Sequence, residues 1–396
     1  MQHWTVATPW LGLHCSLAEG PFYEKGTDSL RFVDIKKKRV HTVSLSRGLS
    51  SLHTIQLDIC PTVTADIEGI DPRERILLGV KYGLAGLNRE TGAYEMLARF
   101  NDPDNERLRS NDGAADPHGL FWVGSMTDFG QGEFRPEGEL VDCRSRGCQN
   151  QNWPLKDGKE EMVKGLTIPN SIGWSPDNKT MYYTHSKARQ IFVLDYDTVS
   201  GAVSDHRLFY KHPTSGEPDG FRIDVDGNLW TAVYGESKVL KINPEGKVIG
   251  QVTLPTRNIT CVQFVGTELI ITSAADEDGE DKTSRDYGGA LFRVDVGTTG
   301  LELFKFRIPY MHGWTCIQAR FNQYPNAKPG CTSAQRRLKG DETGLRCRGA
   351  PRRAMAKIPV LPKTHRHEPN HPRPYFPGRI LRTHPRCRRD TAMNGS

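Results

Sequence analysis

The sequence contains no run approaching the ~20 consecutive apolar residues that a membrane-crossing helix requires, so none of its 396 residues is expected to span a bilayer. Residues 1–13 are mixed in polarity and lack a basic stretch followed by an apolar one, so they do not read as a secretory leader. Cysteine is sparse: 9 residues, an odd number, scattered along the chain. That usage suits a reduced compartment better than a disulfide framework, and a cytoplasmic location is expected. Helical periodicity is nearly absent. No GxSxG element stands where a strand could turn into a helix, which argues against nucleophilic-serine chemistry, and no glycine-rich phosphate cradle is visible.

What is present divides into two parts of opposite charge. From residue 310 onward the chain carries 18 Lys and Arg against 4 Asp and Glu, a net charge of about +14. The remainder therefore carries about −8, although the chain as a whole sums to +6. The basic segment, 310–396, is rich in Pro, Arg and His and has no periodic apolar pattern, so it is expected to be disordered. Its arginine clusters (Arg336 and Arg337, Arg352 and Arg353, Arg386 to Arg389) would suit phosphates. A solvated extension is the favoured reading, and no nucleic-acid or membrane partner is expected for the acidic body.

The body repeats itself. Short strand-like runs recur as SLRF (29–32), RILL (75–78), GLFW (119–122), TMYY (180–183), NLW (228–230) and ELII (268–271). Several follow turn chemistry, such as DPHG at 116–119, SPDN at 175–178 and DGN at 226–228. Aligning Phe32, Leu77, Trp122, Tyr182, Trp230 and Ile270 gives spacings of 45, 45, 60, 48 and 40 residues. That is the period of a four-stranded propeller blade. The expected fold is all-β: one six-bladed β-propeller over residues 14–309. The long third interval places an insertion at about 135–155, where Cys143 and Cys148 read as loop cysteines because nothing nearby completes a zinc site.

Side chains at one offset in different blades converge on a propeller's channel. Asp219 precedes Trp230 by 11 residues, Asn170 precedes Tyr182 by 12, Asn111 precedes Trp122 by 11 and Glu19 precedes Phe32 by 13. Each stands beside Gly, Pro or Asp in a turn-like element. Two carboxylates and two amides at one register form a ring of oxygen acceptors suited to one hard divalent cation. Calcium, magnesium and manganese all fit; zinc held through oxygen alone is less usual.

These motifs carry a resemblance. EGPFYE (19–24), NDGAADP (111–117), GSM (124–126), LTIPNSIGWSPD (166–177) and PDGFRID (218–224) are together similar to the gluconolactonase, regucalcin (senescence marker protein) and luciferin-regenerating enzyme family. The likeness implies a six-bladed propeller with one catalytic divalent metal ligated by Glu19, Asn170 and Asp219. It implies that Arg109 and Asn111 contact a sugar-lactone substrate, with Asp128 the nearest counterpart of a further acidic contact. Asp219 matches the residue proposed as general base. The expected function is hydrolysis of a small-molecule sugar lactone or related cyclic ester by metal-activated water. The alternatives are a calcium-binding regulatory protein of the regucalcin type, or a hydrolase of organophosphate or specialised-metabolite esters.

Overall fold

The short inner strands and tight turns read from the sequence form a ring of six antiparallel sheets. The computed structural model describes residues 1–100, 104–143 and 163–308; the tail at 310–396 and residues 144–162 lie outside the described residues. Blade 1 comprises β2 (Ala18–Glu24), β3 (Ser29–Asp34), β4 (Arg39–Ser44) and β5 (His53–Gln56). Blade 2 comprises β6 (Pro61–Ala65), β7 (Arg75–Val80), β8 (Gly83–Asn88) and β9 (Tyr94–Arg99). Blade 3 has β10 (Leu108–Ala115), β11 (Phe121–Thr127), β12 (Gly138–Asp142) and β13 (Val163–Leu166). Blade 4 has β14 (Pro169–Trp174), β15 (Thr180–His185), β16 (Gln190–Tyr196) and β17 (Val203–Lys211). Blade 5 has β18 (Glu217–Ile223), β19 (Leu229–Tyr234), β20 (Lys238–Ile242) and β21 (Val248–Thr253). Blade 6 has β22 (Ile259–Val265), β23 (Glu268–Ser273) and β24 (Phe292–Asp295).

The innermost strands β2, β6, β10, β14, β18 and β22 pack side by side, and β22 returns to β2, closing the ring. Among the described residues there is one α-helix, α1 (Lys282–Tyr287), started by the Asp281 side chain accepting from Thr283 N. No helix among the described residues is long and apolar enough to cross a membrane. Among the described cysteines, Cys15, Cys60 and Cys261 are free thiols.

Three boundaries differ from the sequence reading. Strand β1 (Gln2–Thr5) runs parallel to β21 at the outer edge of blade 5, and Leu11 bridges Leu291 in blade 6, so the propeller starts ahead of residue 14. β12 lies inside the stretch assigned to the insertion, pairing with both β11 and β13. Its GELVD sequence carries two acids in five residues, which hid it, yet Leu140 and Val141 are buried between blades. The extra residues therefore begin after Asp142. The third difference is the register of blade 1. Tyr182, Trp122 and Trp230 pair with residues three positions past Asn170, Asn111 and Asp219. In blade 1 the residue opposite Phe22, three past Glu19, is Arg31 and not Phe32.

The core lies between blades, where one sheet's face meets the next. Trp122, Leu166, Ile172, Trp174, Met181 and Tyr183 form one such layer. Turn aspartates anchor the large aromatics: Asp116 accepts from Trp122 Nε1 and Tyr196 Oη, and Asp224 accepts from Trp230 Nε1. After β24 the chain crosses one end of the channel as a strap. Leu301 N donates to Ile223 O, Phe306 N to Asp66 O and Arg307 N to Gly119 O, so the strap touches blades 5, 2 and 3 in turn.

Candidate metal centre and substrate cavity

All six inner strands break register at the same place. The shifts fall at Glu19/Phe22, Pro61/Val63, Ser110/Gly113, Asn170/Ile172, Pro218/Phe221 and Ile259/Val262. A bulge adds a residue to one strand and re-aims its side chain. Here six bulges set one residue per blade around the channel: Glu19, Thr62, Asn111, Asn170, Asp219 and Thr260. Four of these are the residues singled out by their offsets. The backbone conformation supports the same construction, because the next residue in blades 1 and 4, Gly20 (φ 54°) and Ser171 (φ 23°), lies in the left-handed region.

Glu19, Arg109, Asn111, Asn170 and Asp219 line one cavity of about 660 Å³. All five are buried, between 2 % and 8 % exposed, and the hydrogen bonds of Asn111 join blade 3 to blade 4. Arg109 Nη1 donates to Asn111 Oδ1 at 2.9 Å. Asn111 Nδ2 donates to Pro169 O at 2.8 Å and to Asn170 Oδ1 at 3.2 Å. Asn170 Nδ2 donates to Ser186 Oγ at 3.1 Å, leaving its oxygen with a lone pair to spare.

The electrostatics are those of crowded buried acids. Burial, followed by the neighbouring Asp112, pushes the Glu19 carboxyl up to about 8. Burial raises the Asp219 carboxyl well above its usual range, with Glu19, Asp112 and Glu217 adding to the push. Burial also raises Asp112, while the Arg222 guanidinium opposes it. Asp219 Oδ1 is buried with no hydrogen-bond partner among the described residues. An orphaned carboxylate oxygen beside like charges is what a cation relieves. Among the described residues no three His, Cys, Asp or Glu side chains group closely enough to hold an ion. A mixed donor set of two carboxylates and an amide oxygen, Glu19, Asp219 and Asn170, fits a hard divalent ion.

Asp128 stands apart from this group. It lines a neighbouring cavity, with Oδ2 2.8 Å from Lys81 Nζ and Oδ1 3.6 Å from Arg109 Nε. Arg109 thus pairs with Asp128, not with Asp112 or Asp116, the other acids near it in sequence. Its guanidinium carbon sits 4.3 Å over the Phe129 ring, which fixes its plane.

Sequence reasoning missed the layer immediately beneath the ring. Asp112 and Cys261 follow ring positions by one residue; Asp112 Oδ2 accepts from Ser171 N at 3.1 Å, and Cys261 is fully buried against Gly220. The available signal was the bulge itself, which turns two successive residues toward the axis. The acidic loop beginning at Asp276 also has a divided role. Asp276 is an anchor, accepting from Arg257 and Ser284, whereas Glu277 and Asp278 face the cavity.

Residues 17–275 match the family model described as SMP-30/Gluconolactonase/LRE-like region. Among curated proteins the chain is similar to pentonolactonase XacC of Haloferax volcanii, 30 % identical over 74 % of this chain and 94 % of that protein. It is 33 % identical to regucalcin of Xenopus laevis over 72 % of this chain and 93 % of the relative. Among solved structures it is similar to a luciferin-regenerating enzyme, with a TM-score of 0.64, 28 % identity, and coverage of 76 % of this chain and 97 % of the other.

Proposed function

Because the chain belongs to the SMP-30/gluconolactonase/LRE-like family, we propose that it is a metal-dependent lactonase that opens a sugar lactone or related cyclic ester with water. The observation that carries this reading is the orphaned Asp219 Oδ1, buried among Glu19, Asn170 and Asp112 at the base of the 660 Å³ cavity. A divalent cation held by Glu19, Asn170 and Asp219 would polarise the ester carbonyl and make water more acidic.

The protein's own groups do the rest. Asp219 is the base: its carboxylate faces the cavity, where it can accept a proton from water, and in the ion-free protein burial and its acidic neighbours raise its proton affinity. A bound cation would oppose that rise, so the working range of the base would depend on both effects. Arg109, held over Phe129 and beside Asp128, presents a rigid cationic fork for hydroxyls of the ring or the developing oxyanion. Asn111 orients both Arg109 and Asn170 through a hydrogen bond to each. Asp128 positions Arg109 from behind rather than meeting the substrate. Glu277 and Asp278 at the cavity mouth would disfavour anionic substrates approaching from blade 6.

The test is hydrolysis of a panel of aldonolactones by the full chain, with and without divalent ions, beside Asp219→Ala. Turnover that needs the ion and falls ~10²-fold or more in the variant is expected. Turnover untouched by chelator or by Asp219→Ala would remove the proposed site. Ion binding without turnover of any lactone would favour the same oxygen ring serving a calcium-binding, non-catalytic role.

A further inference from the structure

The inner strands begin at the candidate site and end at a second cavity. On β10, Arg109 and Asn111 line the first, while Gly113, Ala114 and Ala115 line the second. The second cavity holds about 210 Å³ at the opposite end of the channel, under the strap that crosses from blade 5 to blade 2. Its walls are mostly aromatic and aliphatic: Phe22, Trp174, Phe221, Leu301 and Phe304, with Arg222 as the cation. An apolar cavity of ~150 Å³ already suffices to take up benzene, so this one has room for a single ring bearing a small substituent.

Two donors say what that substituent is. Trp174 is 4 % exposed, and its Nε1–H has no acceptor among the described residues. A buried indole N–H ordinarily finds a partner. Trp174 packs edge-on against Phe304 of the strap, ring centroids 6.0 Å apart, so this orphaned residue belongs to the cavity wall. The second donor is Arg222. Its Nε donates to Gln263 Oε1 at 3.1 Å, Nη1 to Phe221 O at 2.8 Å and Nη2 to Pro21 O at 3.2 Å. A guanidinium has five N–H donors, so one on each terminal nitrogen is left over. No carboxylate lies within ion-pair distance of Arg222 among the described residues, although its charge also acts on Asp112 and Glu19. Two spare N–H groups on one charged guanidinium can serve the two oxygens of a carboxylate.

We infer that this far-end cavity is a second ligand site, separate from the ring of Glu19, Asn170 and Asp219, that takes a small monocyclic aromatic carboxylate. Its ring lies among Phe22, Phe221 and Phe304, and its carboxylate lies against Arg222 and the Trp174 N–H. The site does not depend on lactone hydrolysis.

The experiment is a fluorine NMR titration of the full chain with 4-fluorobenzoate and, separately, with neutral fluorobenzene. Saturable one-to-one binding of 4-fluorobenzoate is expected, at least tenfold tighter than fluorobenzene. Ala114→Leu, which fills the cavity, and Arg222→Gln should each weaken it at least tenfold. Trp174→Phe keeps the ring and removes only the N–H; it should weaken 4-fluorobenzoate several-fold and leave fluorobenzene unchanged, which also covers the case of Ala114→Leu failing to fold. Asp219→Asn should bind 4-fluorobenzoate as the parent does. Absence of saturable binding, binding indifferent to both Ala114→Leu and Trp174→Phe, or binding lost in Asp219→Asn would each overturn the assignment. Equal affinity for both probes would overturn the carboxylate half of it.

Discussion

Asn111 Nδ2 donates to Asn170 Oδ1 at 3.2 Å across the boundary between blades 3 and 4, and the same Asn111 accepts from Arg109 at 2.9 Å. One amide therefore aligns a proposed metal ligand and a proposed substrate contact without itself belonging to the metal set. Asn111→Ala should weaken divalent-ion binding by about tenfold, the scale of losing an outer partner of a ligand. It should also raise KM by loosening Arg109. Calorimetric titration of calcium and of manganese, beside lactone kinetics, checks both. Unchanged ion affinity would mean that Asn170 is oriented by Ser186 alone.

Asp219→Asn separates electrostatics from ligation. In the ion-free protein the substitution removes one of three crowded buried carboxylates, Glu19, Asp112 and Asp219. The expected outcome is a higher melting midpoint without divalent ion, by about 2–4 °C, equivalent to ~1 kcal/mol for a chain of this size. Added calcium should raise the parent's midpoint according to its occupancy and leave the variant's nearly unmoved. Thermal melts with and without chelator decide it. A lower midpoint for the ion-free variant would show that the carboxylate is structurally required.

The ring was legible in blades 3, 4 and 5, where the bulge stands 11 or 12 residues before the second-strand core residue: Asn111, Asn170 and Asp219 precede Trp122, Tyr182 and Trp230. In blade 2 (Thr62 to Leu77) the distance is 15 and in blade 6 (Thr260 to Ile270) it is 10, and those ring residues were not read. The offset of 13 from Glu19 was a register error, because a buried arginine takes the place of the expected hydrophobe. Arg31 is 0 % exposed, and hydropathy alone cannot identify a buried charge whose partners lie in other strands. Those partners are Glu24, Asp66 Oδ1 at 3.1 Å, Thr64 Oγ1 at 2.9 Å and the face of Phe22. The pairing of Asp128 with Lys81 was hidden for a similar reason, since Lys81 comes from blade 2. β1 was hidden because its parallel pairing with β21 spans almost the whole propeller.

Arg31 is correspondingly sensitive. Arg31→Ala strands Glu24 and Asp66 without their buried cation, although Arg89 still reaches Glu24. A loss of about 3–5 kcal/mol is expected. Arg31→Met keeps the stem against Phe22 but not the charge, so it should recover only a part of that loss. Urea denaturation of the two variants beside the parent measures it. A loss below ~1 kcal/mol for Arg31→Ala would mean that Arg89 compensates in full.

His41 sets an acid limit on stability. Burial lowers its pKa from 6.5 to about 4, with Asp34 opposing and Arg39 and Lys37 reinforcing the shift. The ring is stacked on Phe32, and Nδ1 meets Thr54 Oγ1 at 2.9 Å. A histidine kept neutral by folding contributes stability that is complete above pH ~6.5 and is lost as pH falls toward 4, because the unfolded chain binds the proton first. The loss by pH 4.5 should be about 2 kcal/mol. In His41→Gln, which can keep a hydrogen bond to Thr54, the difference in stability between pH 7 and pH 4.5 should shrink by about that amount. An unchanged difference would assign the acid limb to other groups.

The strap after β24 is part of the folded body, and Phe306 is its principal anchor. The ring is 4 % exposed and meets Phe121 edge-on at 6.4 Å, in the core layer between blades 2 and 3. Backbone bonds from Phe306 N to Asp66 O and from Glu68 N to Phe306 O pin it on both sides. Truncating a buried phenylalanine costs about 3–5 kcal/mol where the site cannot collapse, and a pinned strap resists collapse. Phe306→Ala should therefore lose stability in that range, while Leu303→Ala, half-buried in the same strap, should lose ~1 kcal/mol or less. Hydrogen exchange adds a local readout: Phe121→Ala should speed exchange at Phe306 N and Arg307 N, which the strap protects, more than at Leu301 N in blade 5's half of it. Equal acceleration at all three amides would mean that the strap opens as one unit, and similar stability losses for Phe306→Ala and Leu303→Ala would mean that Phe306 does not anchor it.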